Sequence, residues 1–171
     1  AQVADIRALR DETGLELLSM EEAALDAERL MKAFEAAAEL GIPVVNIGPG
    51  GKAGVEEDFE RQTGKMQEMA ERAKPFHVML CCKAHVGASI FNTPTTLRAL
   101  DRVTSEQFGV DMDPSHIHRA GENPAEALPK VLHRTRHVHI RDCKGPGPRP
   151  GGPADQAPGR GDIDLWGYCK A

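Results

Sequence analysis

Long apolar runs are absent. The longest, Val44 to Ile47 and Val78 to Cys82, fall far short of the ~20 residues that cross a bilayer, so no segment is expected to span a membrane. Basic runs are absent too: 21 Lys and Arg against 26 Asp and Glu leave a net charge of −5, with nothing to neutralise a phosphate backbone. Nucleic acid is therefore not an expected partner. Cysteine is sparse. Cys81, Cys82, Cys143 and Cys169 form neither a CxxC pair nor a dense framework, and they read as reduced, mostly buried thiols of a cytoplasmic, reducing compartment. The first residues already read as a helix, so the lack of a leader carries no weight.

What is present supports a packed core: 40% of residues are hydrophobic and 27% charged, a balance that excludes wholesale disorder. Val3, Ile6, Leu9 and Arg10 recur at helical spacing over 1–12, and Gly14 follows where a helix stop is expected. Leu15 to Met20 reads as a short strand, and Ser19 with Glu22 has capping-box spacing for a helix running to Gly41. A strand over 42–47 ends in Gly48-Pro-Gly-Gly51, a polar helix covers about 56–73, and 76–85 is the longest strand candidate. Thr93-Pro94 opens a helix, 108–113 is a strand, Asn123-Pro124 opens another helix, and 136–142 is the last strand. A glycine- and proline-rich stretch, 144–161, has almost no apolar residue with which to pack and reads as a mobile cover or partly disordered insertion. A final helix begins near Asp162.

Strands alternating with helices imply right-handed βαβ units and a parallel sheet, hence an α/β fold. A (β/α)8 barrel uses about 31 residues per unit, and 171 residues at that rate make about five and a half units. Either the sheet is open or the barrel is incomplete.

Polar residues gather at three predicted strand ends: Lys83 and His85; Asp111 and Asp113, with His116 just beyond; His139, Arg141 and Asp142. In parallel α/β folds ligands bind at this edge. Period-two alternation places Cys81, Lys83 and His85 on one face, Asp111 and Asp113 on another, and His137, His139 and Arg141 on a third. In Asp113-Pro-Ser-His116 a carboxylate and an imidazole leave one strand end and could meet a divalent ion or a hydroxyl; the plainer reading is that Asp113 caps the turn at Pro114. Asn46 could bond a sugar hydroxyl or serve only backbone groups. The turn at 48–51 could cradle a phosphate, but it lacks the lysine and hydroxyl of a P-loop and suits a plain strand-to-helix turn better.

With Leu40-Gly-Ile-Pro-Val-Val-Asn-Ile47, Lys83-Ala-His85, Asp113-Pro-Ser-His116, Val138-His-Ile-Arg-Asp142 and Pro158-Gly-Arg-Gly-Asp-Ile-Asp164, the chain resembles the sugar phosphate isomerase/epimerase superfamily, the xylose isomerase-like barrels. The resemblance implies a (β/α)8 barrel lacking its first two strands and its last, as one partial domain. It implies an isomerase or epimerase that draws a proton from beside a carbonyl through an enediolate, with a small carbohydrate as substrate and Mn²⁺, Co²⁺, Zn²⁺ or Mg²⁺ as cofactor. By the same resemblance Asp113 and His139 match metal ligands, and His116 matches a residue that contacts substrate or, in some relatives, a second metal, which makes it a catalytic candidate; Arg141 and Asp142 extend the same strand end as candidate substrate contacts. From its position on the face of Lys83, His85 could donate the imidazole that Lys83 withholds, contact substrate or stabilise the turn.

One position departs from the family pattern. Where the resemblance expects a metal-binding glutamate on the fifth barrel strand, the chain has Lys83. An ammonium ~5 Å from a dication is repelled by roughly 6 to 7 kcal/mol at an effective dielectric of ~20. Lys83 is thus a candidate general base if neutral, or an electrophile in place of the metal if charged. A divergent sugar-binding or lyase relative is the alternative this lysine suggests. Two exposed sheet edges would also favour self-association, so a homo-oligomer is possible on this reading.

Overall fold

The computed structural model describes residues 2–171. Seven α-helices and five strands alternate: α1 Val3–Thr13, β1 Met20–Glu21, α2 Ala27–Leu40, β2 Val44–Ile47, α3 Glu56–Ala73, β3 Met79–Lys83, α4 Thr93–Arg102, β4 Phe108–Met112, α5 Pro114–Arg119, α6 Pro124–Val131, β5 Thr135–Val138 and α7 Leu165–Lys170. The strands are all parallel and lie in the order β1-β2-β3-β4-β5. No strand is out of turn, so the sheet has no reversal of the doubly wound kind and forms an incomplete (β/α)8 barrel.

Register sorts the side chains into two faces. Met20, Val45, Leu80 and Phe108 are neighbours across the sheet. Val45, Leu80 and Phe108 are buried in one cluster with Leu30, Phe34 and Ala37 of α2 and Phe59, Met66 and Ala70 of α3, and Met20 packs against its edge. The opposite face carries Glu21, Asn46, Cys81 and Gly109 in one row, and Lys83, Asp111 and His137 in the next. That second face is the barrel lumen. Between β4 and β5 the register shifts at Val110/Asp111, so that Val110 pairs with Thr135 and Asp111 with His137. The shift skips Arg136 and turns His137 to the same side as Asp111, the re-aiming that a β-bulge produces.

Several expected boundaries moved. The strand expected over Leu15–Met20 is only Met20–Glu21, and α2 starts at Ala27 rather than after Ser19. Asp26 is the true cap, its carboxylate accepting the Arg29 N–H at 2.9 Å, while Glu22 accepts from Ala24 and pairs with Arg29. Gly41 at φ 74 ends α2 in the left-handed conformation that glycine adopts without strain. The first helix runs from Val3; Ala1, expected within it, lies outside the described residues. The strand expected at 136–142 ends at Val138, and a short helix not expected from sequence, α5, follows β4.

The 144–161 stretch is tied down. Lys144 and the Gly145 N–H bind the Asp162 carboxylate, Arg119 bonds the carbonyls of Gly147 and Pro148, and residues 153–156 form a 3₁₀ turn. Its anchor is Asp142, fully buried, which accepts the N–H groups of Cys143, Gly159 and Ile163 at 3.0, 3.0 and 3.1 Å. Polar bonds rather than an apolar core order this segment. No helix among the described residues is long and apolar enough to cross a membrane.

Candidate active site

Two adjoining groups of polar side chains occupy the C-terminal rim of the sheet. The first centres on Asp111, 1% exposed, whose Oδ1 lies 2.8 Å from His137 Nδ1 and whose Oδ2 lies 3.1 Å from His139 Nε2. Lys83 Nζ stands 3.4 Å from His139 Nε2, 3.9 Å from Asp111 Oδ2, and 3.3 and 3.4 Å from the two carboxylate oxygens of Glu21. Glu21 also reaches His139 Nε2 at 3.4 Å, and Ser19 Oγ lies 3.2 Å from His137 Nε2. The strand alternation that places Lys83, Asp111 and His137 on one face also brings these groups within reach of one another.

Burial pushes the Asp111 carboxyl up, but the bonds from His139 and then His137 outweigh it and hold its pKa below the usual carboxylate value. The partner shift is consistent: the hydrogen bond to Asp111 raises the pKa of His139, against opposition from its own burial and from Lys83. A buried carboxylate thus orients two imidazoles. Such a partner sets ring orientation and tautomer in metal and acid–base sites.

The second group holds Asp113. Its Oδ1 accepts the Ser115 N–H at 2.9 Å and the Ser115 hydroxyl at 2.8 Å, and its Oδ2 lies 3.2 Å from Arg141 Nη2. Arg141 Nε donates to Ser115 Oγ at 2.8 Å. His116 stacks on His85 with ring centroids 4.0 Å apart, and its Nδ1 accepts the Val86 N–H at 3.3 Å. Burial is the main cause that drives the His116 pKa down to about 3, so the ring is neutral at pH 7.

These positions revise the residues expected to act together. Lys83 and His139 are side by side, but the carboxylate beside His139 is Asp111, not Asp113, because Asp113 caps α5 and neutralises Arg141. The set of His, Cys, Asp and Glu side chains able to converge on an ion, among the described residues, is Asp111, His137 and His139, with ligand atoms within 4.8 Å of one another. The structure does not bring the expected pair of Asp113 and His139 together: His139 adjoins Asp111 and His137, and Asp113 bonds Ser115 and Arg141. Asp142, expected as a substrate contact, is buried, and its carboxylate accepts backbone N–H groups under the loop. Arg141 is committed to Asp113 and Ser115, and His85 to His116 and its own Val86 carbonyl. The amide of Asn46, fully buried on the lumen row, meets no hydrogen-bond partner among the described residues, which removes its backbone-serving reading.

Glu21, Asp111 and His137 were missed as site residues. The signal for Asp111 and His137 was present, since each lies two residues before a chosen residue on the same strand face. Nothing in the sequence marked Glu21, because its strand is two residues long.

The donor trio fits a divalent cation by type, one carboxylate and two imidazoles being a mixed oxygen and nitrogen set. The neighbouring Lys83 ammonium is offset by Glu21, which the sequence alone did not supply as its partner.

Solved structures share this architecture. The probable 3-DHS dehydratase AsbF of Bacillus anthracis superposes with a TM-score of 0.82 at 15% identity, covering 98% of this chain and 70% of that one. The IOLI protein, solved with a zinc atom bound, gives 0.79 at 18% identity over 99% of this chain and 67% of that one. By sequence the chain is 25% identical over 89 residues to inosose dehydratase 2 of Bacillus cereus, a stretch covering 52% of this chain and 30% of that protein. The chain thus spans about 30% of the length of the curated relatives it matches. Residues 2–171 match the family described as the xylose isomerase-like TIM barrel, and the chain belongs to that family.

Proposed function

We propose that this chain forms the proton-transfer wall of an enzyme that removes a proton beside the carbonyl of a polyhydroxylated keto substrate and then expels water from the next carbon. The observation that carries this reading is the convergence of Glu21, Lys83, Asp111, His137 and His139 on one rim of the lumen. A carboxylate, an amine and two oriented imidazoles are the group types that proton abstraction beside a carbonyl requires.

Glu21 is the base: its side chain is 48% exposed and anchored by Lys83 rather than by backbone. Its carboxylate takes the proton from the carbon beside the carbonyl. The C–H electron pair forms the new C=C bond, and the carbonyl electrons move onto oxygen, where a Lys83 N–H stabilises the charge. When those electrons return, the C–O bond on the next carbon breaks, and the departing hydroxide takes the proton back from Glu21 as water. A divalent ion held by Asp111, His137 and His139, with the Lys83 amine swung away, would supply Lewis acidity toward the substrate oxygens in its place. Asp111 fixes both imidazoles, and Asn46 offers an unused amide to a substrate hydroxyl.

Elimination is preferred over isomerisation because the curated proteins similar in sequence include several named inosose dehydratases, which points to a keto-cyclitol as substrate class. Isomerisation or epimerisation shares the first proton transfer and differs in where the proton returns. The test is incubation with an inosose and a panel of ketoses in D₂O. Deuterium uptake beside the carbonyl with loss of one water by mass spectrometry is expected. Uptake without water loss would favour the isomerase or epimerase reading, and no uptake from any substrate would end both.

A further inference from the structure

Lys83 Nζ is surrounded by the groups a metal would use. It lies 3.4 Å from His139 Nε2 and 3.9 Å from Asp111 Oδ2, two of the three donors in the cation-competent trio, and 3.3 Å from the Glu21 carboxylate. The Lys83 side chain is only 17% exposed and sits on the lumen row in register with Asp111. The site therefore holds a positive charge already, tethered to β3. We propose that Lys83 is a resident cation that competes with a divalent metal for Asp111 and His139, so that metal enters only when the amine leaves.

The charge count supports exclusion rather than coexistence. With Lys83 in place, the two carboxylates of Glu21 and Asp111 face one ammonium, and the two imidazoles donate hydrogen bonds to Asp111. A dication added at the trio would face an ammonium within 4 Å of two of its donors, and repulsion between like charges at that range is large in a partly desolvated site. Removal of the amine reverses the balance: Asp111 and Glu21 become two uncompensated carboxylates beside two imidazoles, a set with high affinity for Zn²⁺, Co²⁺ or Mn²⁺. A lysine at this point makes metal loading weak and reversible where a neutral residue would make it tight. The inference rests on the reading of Asp111, His137 and His139 as a cation site, and no substrate enters its test.

The experiment is titration of the purified chain with Mn²⁺, Co²⁺ and Zn²⁺ by calorimetry, beside Lys83→Met and Lys83→Arg variants checked for fold by circular dichroism. Lys83→Met, which keeps the length of the side chain and removes its charge, is expected to bind metal at least tenfold more tightly. Lys83→Arg is expected to bind as weakly as the native chain. Equal affinities in all three would overturn the proposal, as would an absence of binding in Lys83→Met. Should Lys83→Met fail to fold, the native chain decides: the rate of Lys83 acetylation by an N-hydroxysuccinimide ester, followed by peptide mass spectrometry, should rise when Mn²⁺ is added because the amine is expelled. An unchanged rate at the highest metal concentration the protein tolerates would refute it. Dehydratase activity could fail in its own assay with every one of these results intact.

Discussion

Glu21 and His139 meet at 3.4 Å although they come from the first and last strands of the sheet order, Glu21 ending β1 and His139 following β5. Four strand spacings of about 4.8 Å would hold those strands ~19 Å apart in a flat sheet. The contact is possible only because the sheet curls. A second contact across the same gap, Ser19 Oγ to His137 Nε2 at 3.2 Å, shows the same curvature one layer down. Curvature assembles the site, because no single strand carries both the carboxylate of Glu21 and the imidazoles.

If Glu21 is the base, Glu21→Gln should leave the fold intact and lower deuterium exchange beside the substrate carbonyl by about 10²- to 10⁴-fold. The Glu21 side chain is half exposed, so solvent screening leaves little stability at stake. Exchange at the native rate in this variant would remove Glu21 from the mechanism.

Asp142 should matter for stability rather than chemistry. Asp142→Asn replaces an acceptor of several backbone N–H bonds with a group that can accept at one oxygen only, at a cost of about 1–3 kcal/mol in thermal or urea unfolding. Gly161→Ala should be at least as harmful, since a methyl group at that position would overlap the Asp142 carboxylate. Burial raises the Asp142 pKa, but the N–H groups of Gly161, Ile163, Cys143 and Gly159 outweigh it and hold the value below the ordinary one. The folded-state pKa is depressed, so the stabilisation is present above the unfolded value of about 3.9 and is lost as pH falls below it toward the folded value. Denaturant midpoints measured from pH 6 down to pH 3 should fall less steeply in Asp142→Asn than in the native chain.

His116 adds a second acid-side loss. It stays neutral in the folded protein down to about pH 3, whereas in the unfolded chain it takes a proton near 6.5. The unfolded state therefore binds more protons between those limits, and stability falls by up to about 1.4 kcal/mol per pH unit as pH drops through that window. Histidine ring signals followed by NMR should show His116 unprotonated at pH 5; a midpoint near 6.5 would contradict the burial argument.

The outer edges of β1 and β5 have no strand partner among the described residues, and exposed apolar side chains flank them: Leu15 and Leu18 beside β1, Val138 and Ile140 at β5. Produced as these 171 residues, the chain should self-associate. Val138→Lys with Ile140→Lys should reduce the association in sedimentation velocity. A compact monomer at high concentration without those changes would count against it.

Alternation of strands and helices, the caps at Asn123 and Gly14, and the polar strand ends were legible in the residues, because each is a local preference spanning a few positions. So were the groupings within each strand, Lys83 with His85, Asp111 with Asp113, and His137 with His139, since a strand repeats every two residues; that Lys83, Asp111 and His137 share the lumen face was set by register between strands. The choice of Asp111 over Asp113 as partner of His139 was not legible. It depends on a register shift between β4 and β5 and on Arg141 reaching Asp113, and neither leaves a pattern within one strand. Glu21 was invisible for the same reason: its role is set by sheet curvature, which sums small twists over five strands. The amino acids alone determined which groups stand at the rim, and tertiary structure alone decided which of them touch, because contacts between distant strands are fixed by register and closure rather than by neighbours in the chain.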